Sequence, residues 1–305
     1  MIYILLMRTD INVIKQVFID IIYIKLCSYF MRKRMKEDSL DMSKITKELC
    51  NYKNIPKDLS EYIINVIEET SNTKYFSPIL NDDTLRKKAW ETIDFQIKEG
   101  SKITKLPILA LLKGLDFHSN NLGFSKFEGM FAELRTIFFL RDIGLDAIEP
   151  LESENKEKDK SADFIAKDLI GKGNYHKYAI EVFCKKSKEL KDNNEINSNR
   201  KLSLKPVIKP DTARSDLIKL YKRGAYKKKP QLIQTAKKYS CDKNILVMVL
   251  NISKIYESLK HDDYIEILED ITVQLNWGSN YQFAIVTGMI DLFDNILDNY
   301  IYPLT

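Results

Sequence analysis

Residues 177–186, KYAIEVFCKK, alternate in a way that predicts a β-strand with an acid on one of its faces. Ile180, Val182 and Cys184 fall on one face of this strand, and Glu181 falls on the other. A carboxylate in the middle of a largely buried strand costs desolvation free energy unless a cation or hydrogen bonds compensate for it. This stretch therefore predicts a central strand and, at Glu181, a position with a special chemical role.

A second acid precedes Glu181 by 18 positions. Asp163 lies in residues 161–166, SADFIA, and the intervening residues 168–174, DLIGKGN, contain glycines typical of a turn. The simplest arrangement is a hairpin that places Asp163 and Glu181 side by side on neighbouring strands. Because two adjacent carboxylates repel each other, we expect either a divalent metal ion or a shared proton between them, and the metal ion is the leading hypothesis.

The composition is that of an ordinary globular protein of 305 residues, with 44% hydrophobic and 30% charged residues. The four cysteines are far apart and form no CxxC pair, which argues against a zinc ribbon or a redox dithiol and favours a cytoplasmic location. The three histidines share no HExxH spacing, and the sequence contains no P-loop or GxGxxG. These absences disfavour a histidine-based metal site, a nucleotide hydrolase and a dehydrogenase.

Positive charge is concentrated directly after the strand that carries Glu181. Residues 184–230 contain fifteen Lys or Arg and five Asp or Glu, although the whole chain has a net charge of only +5. Such a run is most often a solvated surface, but here it adjoins a candidate metal site. The combination predicts a phosphate-rich partner.

The N-terminal residues 1–31 are unusually apolar, but charged residues interrupt them before any run reaches the length of a membrane span. We expect an amphipathic helix in this extension (residues 1–34) and no stable membrane association. An alternative is that translation begins at Met31, Met35 or Met42, which would make the preceding residues artefactual.

Helical periodicity continues to about residue 100, so the sequence predicts a helical N-terminal region over residues 1–100 and an α/β domain over residues 101–305. A helix over residues 124–140 carries Glu133 at the edge of its broad apolar stripe. The remaining predicted elements are a strand at 145–151, a helix at 227–239, a strand at 244–250, a helix at 264–275 and a strand at 281–288.

This order of elements and acids resembles the core of the PD-(D/E)xK nuclease superfamily, the restriction-endonuclease-like fold, over residues 124–250. The resemblance implies an αβββαβ core with a mixed central sheet, preceded by the helical N-terminal region. In that core Asp163 matches the first acid of the motif and Glu181 the second, and Glu133 matches the glutamate of the first helix.

The lysine of the motif normally follows the second acid by two positions, where this chain has Phe183. Lys185 is the nearest lysine on the same strand face as Glu181, and it is the catalytic lysine that the resemblance implies. Gln231 or Gln234 corresponds to a glutamine that some members carry on the helix after the motif.

The resemblance implies a metal-dependent (endo)deoxyribonuclease, of the kind used in restriction, repair or mobile elements. Asp163, Glu181 and Glu133 would hold Mg²⁺ or Mn²⁺, which prefer oxygen ligands. DNA is the expected partner, RNA stays open, and a homodimer is compatible with this interpretation. The residues predicted to contact nucleic acid are Lys186, Lys188, Arg200, Lys201, Lys222, Arg223, Lys227, Gln231 and Gln234.

Three alternatives remain. Phe183 in the lysine position favours a catalytically inactive nucleic-acid-binding module of the same fold. The apolar N-terminus favours a helical assembly protein whose acids are structural. A thiol enzyme using Cys184 and His176 is disfavoured because Cys184 faces away from Glu181. Tyr221 and Tyr226 either stack on bases or pack within the protein.

Overall fold

The computed structural model describes the central sheet and the helices that cover it. The predicted N-terminal extension, residues 1–34, lies outside the described residues. Within them, no helix combines the length and the apolar character that a membrane span requires. The described ranges are 42–71, 83–115, 124–151, 161–168, 175–184, 210–250, 259–286 and 300–301.

A mixed sheet forms the centre of the described structure, with its strands in the order β1-β2-β3-β4-β5-β6. The first three strands pair antiparallel, β3, β4 and β5 pair parallel, and β6 pairs antiparallel with β5. The central strand β4 is buried on both faces, as its continuous apolar sequence predicts. The strands are β1 (Asp146–Pro150), β2 (Phe164–Lys167), β3 (Lys177–Cys184), β4 (Lys243–Val249), β5 (Tyr281–Val286) and β6 (Tyr300–Ile301).

Helices cover both faces of this sheet, so the predicted α/β class with a mixed central sheet is confirmed. In the described residues they are α1 (Met42–Leu49), α2 (Lys57–Ser71), α3 (Asp83–Thr104), α4 (Ile108–Gly114), α5 (Phe124–Asp142), α6 (Pro210–Tyr239) and α7 (His261–Leu275). From α5 to β4, the described elements follow in the order α-β-β-β-α-β.

Two hydrophobic clusters separate the faces of the sheet. One cluster joins α1 to α5 with side chains of the sheet that include Ile180 and Val182; we call this side the α1–α5 face. The other joins α6 and α7 with side chains that include Leu246 and Met248; we call it the α6–α7 face. Because side chains of a strand alternate between faces, Glu181 points toward α6.

The helix that follows the β2–β3 hairpin is longer than its sequence pattern predicts. The expected start at residue 227 is wrong, since α6 begins at Pro210 and runs for 30 residues without interruption. Pro230 in its interior, and the high density of lysine, hide the apolar stripe that this helix buries against the sheet. The second half of the basic tract is therefore a helix packed on the sheet.

The boundary predicted at residue 100 falls inside α3, which spans Asp83–Thr104. Trp90 and Ile97 of that helix are buried in the same cluster as Phe131 and Phe139 of α5. The described N-terminal helices therefore share their core with the sheet.

Candidate functional site

The β2–β3 hairpin brings the two predicted acids together. The strands are antiparallel with Phe164 opposite Ile180, so Asp163, the residue directly before β2, comes level with Glu181. The backbone N–H of Val182 donates a hydrogen bond of 2.6 Å to Asp163 Oδ2, which fixes this carboxyl against β3. The hairpin predicted from the two motifs is confirmed, and Asp163 is close enough to Glu181 to raise the pKa of the Glu181 carboxyl.

The cation beside these acids comes from α6. Lys228 Nζ donates a hydrogen bond to Glu181 Oε1 and forms an ion pair with it. The Glu181 side chain has 0% of its surface exposed and that of Lys228 has 30%, so solvent reaches the pair from the lysine side. The sequence analysis did not identify Lys228.

A signal for Lys228 is present in the sequence once the full length of α6 is known. The residues of α6 that are buried against the sheet include Leu217, Tyr221, Ala225 and Leu232, at helical spacing. Lys228 continues this row between Ala225 and Leu232. A lysine in a row of buried positions needs a buried acid opposite it, and Glu181 is that acid.

Desolvation raises the pKa of both acids. Desolvation, and then repulsion from Asp163, hold the pKa of Glu181 well above its ordinary value. Desolvation also raises the pKa of Asp163, although Lys228 and the Val182 amide oppose this shift. For Lys228, attraction by Glu181 and Asp163 outweighs desolvation and raises the pKa, so the amine stays charged.

One oxygen of Glu181 is left without a protein donor. Within the described residues, buried Oε2 has no hydrogen-bond partner when the carboxyls are ionised, whereas Oε1 accepts from Lys228. A proton shared with Asp163 would supply a donor, and a bound cation would satisfy the same oxygen. Either a shared proton or a positive ion between the carboxyls can therefore satisfy this oxygen.

The same helix also holds the chain that leads into Asp163. The backbone N–H of Ala162 donates a hydrogen bond of 2.6 Å to the hydroxyl of Thr235, which is fully buried. Gln231 Nε2 donates a longer bond, 3.5 Å, to the carbonyl of Ser161. Gln231, predicted to contact nucleic acid, thus lies at the acid pair, whereas Gln234 lies on the exposed side of α6.

Phe183, in the usual lysine position of the motif, packs into the contact between β3 and α6. Its ring meets Tyr221 edge-on at 5.3 Å between centroids. A Cβ added to Gly224 would lie only 2.4 to 2.8 Å from three atoms of that ring. Gly224 therefore lets α6 approach β3 closely, and Lys228 follows one helical turn later.

Several predicted site residues are not part of the acid pair. Glu133, on α5, is near enough to Lys228 to contribute to its raised pKa, but the described residues contain no set of three His, Cys, Asp or Glu positioned to hold a metal ion. The structure thus brings together Asp163 and Glu181 and leaves Glu133 outside such a set. The predicted lysines and arginines that lie outside the described residues are Lys185, Lys186, Lys188, Arg200 and Lys201.

The remaining predicted contacts lie on α6. Arg223 and Lys227 are exposed, and Lys222 donates a 2.9 Å hydrogen bond to Gln274 of α7. Tyr221 is fully buried and donates to the carbonyl of Leu246, so it packs within the protein and is not available to stack on bases.

Cys184 is packed against the α1–α5 face, away from Glu181, as the strand alternation predicts.

No protein family, no curated protein and no solved structure matches this chain. The site must therefore be interpreted from its own chemistry.

Proposed function

We propose that this protein is a divalent-metal-dependent nuclease that hydrolyses phosphodiester bonds of DNA, built on a restriction-endonuclease-like core from α5 to β4. The observation that carries the proposal is the set of Asp163, Glu181 and Lys228, in which two carboxyls and one amine converge at the contact of a hairpin and a basic helix. The α-β-β-β-α-β order of the surrounding elements supports it.

The acid pair fits Mg²⁺ or Mn²⁺. Both ions prefer carboxylate oxygens, and Mg²⁺ commonly uses only one or two carboxylates while keeping several waters. The unsatisfied Oε2 of Glu181 and its repulsion from Asp163 are what such an ion relieves. When bound, the ion would supply positive charge to the scissile phosphate and lower the pKa of an attacking water.

Within this proposal each side chain has a separate task. Asp163 and Glu181 provide the oxygen ligands. Lys228 carries its charge next to Glu181 Oε1, where it would orient the attacking water and stabilise the negative charge that develops on the phosphate. Thr235 and Gln231 keep the backbone before Asp163 in place.

The outer side of α6 is suited to the phosphate backbone of the substrate. The helix contains nine Lys or Arg and two Asp, and both acids lie in its first two turns. Arg223 and Lys227 are exposed there, and phosphate neutralisation by such side chains makes binding weaken with salt.

The test is cleavage of plasmid and oligonucleotide DNA with and without Mg²⁺ or Mn²⁺. Asp163→Asn and Glu181→Gln should abolish metal-dependent cleavage, and Lys228→Met should lower its rate about 10²- to 10³-fold. The matched control is Lys227→Met, one residue along α6 on the exposed side, which should weaken DNA binding but retain the cleavage rate at low salt and saturating DNA. Equal rates in all five proteins would contradict the proposal.

A second function, nucleic-acid binding without catalysis, is favoured by one observation. Lys228 already neutralises part of the charge of the acid pair, so the pair can be stable without a metal ion. In that case DNA binding would be salt-dependent, and Mg²⁺ would produce no turnover and no change in the stability of the wild-type protein. A metal titration followed by thermal unfolding therefore separates the two functions.

A further inference from the structure

An aromatic cluster lies at the solvent-facing side of the contact between α6 and the start of β5. The indole of Trp277 meets the ring of Tyr281 at 5.2 Å and that of Tyr226 at 6.2 Å between centroids. Lys229 Nζ stands over the indole at 4.4 Å from its centre. Trp277 and Tyr281 are half-buried, but Tyr226 has 57% of its surface exposed.

Positive charge predominates in the described segments that form this cluster. Residues 217–239 of α6 contain no Asp or Glu, and residues 271–286, which include Trp277 and Tyr281, contain no charged residue at all. The acids of α7 that face α6, Glu266 and Asp270, are both paired with Arg214. An anionic partner is therefore favoured over a cationic or a purely apolar one.

We propose that Tyr226, supported by Trp277, stacks on an unpaired base of single-stranded nucleic acid. An exposed aromatic ring surrounded by cations is how proteins hold single strands, because every base has a π-face and every nucleotide a phosphate. The bases of an intact duplex are stacked on one another and present only their edges, so this ring selects unpaired nucleotides. The inference rests on the proposed function for its substrate class: the strand that reaches the acid pair contains an unpaired stretch.

Binding can be followed without cleavage through intrinsic fluorescence. The chain has two tryptophans, and Trp90 is buried at 1% exposure in the α1–α5 face, so a change in emission on adding an oligonucleotide reports on Trp277. The titration uses the wild-type full chain in EDTA, with a single-stranded DNA oligonucleotide and with the duplex of the same sequence. Trp277→Phe identifies the part of the signal that comes from this indole.

Tyr226→Ala should weaken binding of the single strand at least about fivefold, because one base stack is worth about 1–3 kcal/mol. Its effect on the duplex should stay within about twofold. Because Trp277→Phe removes the fluorescent reporter, the affinities of all variants are taken from the anisotropy of a labelled oligonucleotide. The control is Tyr175→Ala, since Tyr175 is similarly exposed, at 51%, and also lies beside a lysine, but at the turn end of the β2–β3 hairpin.

The proposal is overturned if Tyr226→Ala leaves single-strand affinity unchanged, or weakens the single strand and the duplex by the same factor. It is also overturned if Tyr175→Ala has an equal effect. These outcomes are separate from those for the nuclease, because the binding assay contains no metal ion. Cleavage without selective stacking would leave the proposed function intact, and stacking without cleavage would leave the present inference intact.

Discussion

The two faces of the sheet bury consecutive residues of β3 in different chemical surroundings. Ile180 and Val182 enter the α1–α5 face, and Glu181, between them, enters the α6–α7 face with no surface exposed. Burial of the two apolar side chains is favourable, at about 25 cal/mol per Å² of apolar surface, whereas burial of a carboxyl is unfavourable unless it is compensated. The requirement at Glu181 therefore determines what the facing helix must carry, and α6 carries Lys228.

Removing the Lys228 cation should lower the free energy of unfolding more than any other change in this site. Lys228→Met leaves the buried Glu181, with Asp163 beside it, without a positive charge, and breaking a buried ion pair in this way costs about 3–5 kcal/mol of unfolding free energy. The double variant Glu181→Met/Lys228→Met should recover most of that loss, since an apolar pair of similar volume is often as stable as the ion pair. Urea unfolding measures all three proteins.

The exposed neighbour provides the control for this experiment. Lys227→Met changes the same residue type on the same helix and should stay within about 0.5 kcal/mol of the wild type. If Lys228→Met behaves like Lys227→Met, or if the double variant is no more stable than the single one, Lys228 does not compensate the acid pair.

A change of pH tests the cost of burying the Glu181 carboxyl without a mutation in α6. A carboxyl whose pKa is higher in the folded than in the unfolded protein binds its proton more tightly when folded. For Glu181 the stabilisation is complete below the ordinary pKa of 4.5 and is lost as pH rises toward the raised folded value. The loss is at most about 1.4 kcal/mol per pH unit for each proton.

Urea unfolding in EDTA between pH 4 and 8 should therefore show wild-type stability falling relative to Glu181→Gln as pH rises. Mg²⁺ added at the upper end should restore stability to the wild type and not to the variant, because the proposed metal ion would relieve the repulsion between Glu181 and Asp163. If wild-type stability relative to Glu181→Gln stays constant or rises with pH, the folded protein holds the ionised Glu181 carboxylate at no cost in free energy.

Close packing of α6 on β3 gives a third test, since Lys228 reaches Glu181 only if the helix lies against the strand. Gly224→Ala places a methyl group against the ring of Phe183. Such overpacking costs about 1–3 kcal/mol of unfolding free energy, which exceeds the stabilisation from the higher helix propensity of Ala. Gly129→Ala in α5 is the matched control, because its Cβ would meet nothing within 4 Å. We expect it to stabilise the protein by about 0.5–1 kcal/mol.

Thermal unfolding of the two alanine variants should therefore move in opposite directions. Phe183→Leu combined with Gly224→Ala should recover part of the loss by making room for the methyl group. Equal stabilisation by both alanines would mean that α6 does not need a glycine for its approach to β3.

Local sequence patterns predicted the acid-bearing hairpin, because strand alternation, turn glycines and two acids in apolar surroundings all lie within a short segment. Asp163 and Glu181 are brought together by an antiparallel register that these local signals specify. Lys228 could not be found in this way. It follows Glu181 by 47 positions and meets it through a crossover helix whose start the sequence pattern placed too late.

The predicted catalytic lysine illustrates the same limit. Lys185 was selected because it continues β3, but proximity along a strand does not say which helix covers the acids. The covering helix depends on the packing of Phe183 against Gly224, a tertiary contact between residues 41 positions apart in sequence. Contacts of this kind follow from shape, which single-sequence periodicity does not encode.

The smallest effects are expected for two fully buried threonines, one from each face of the sheet. The hydroxyl of Thr235 on α6 accepts the backbone N–H of Ala162, so Thr235→Val leaves a buried amide unsatisfied, at a cost of about 1–3 kcal/mol. The hydroxyl of Thr136 on α5 donates to the carbonyl of Ala132 in its own helix, and that carbonyl keeps its helical hydrogen bond in Thr136→Val. This second variant should cost well under 1 kcal/mol. In urea unfolding, the difference in unfolding free energy between the two valine variants measures how much the Thr235 hydrogen bond stabilises the backbone before Asp163. Equal losses in the two variants would mean that Thr235 is only a packing residue.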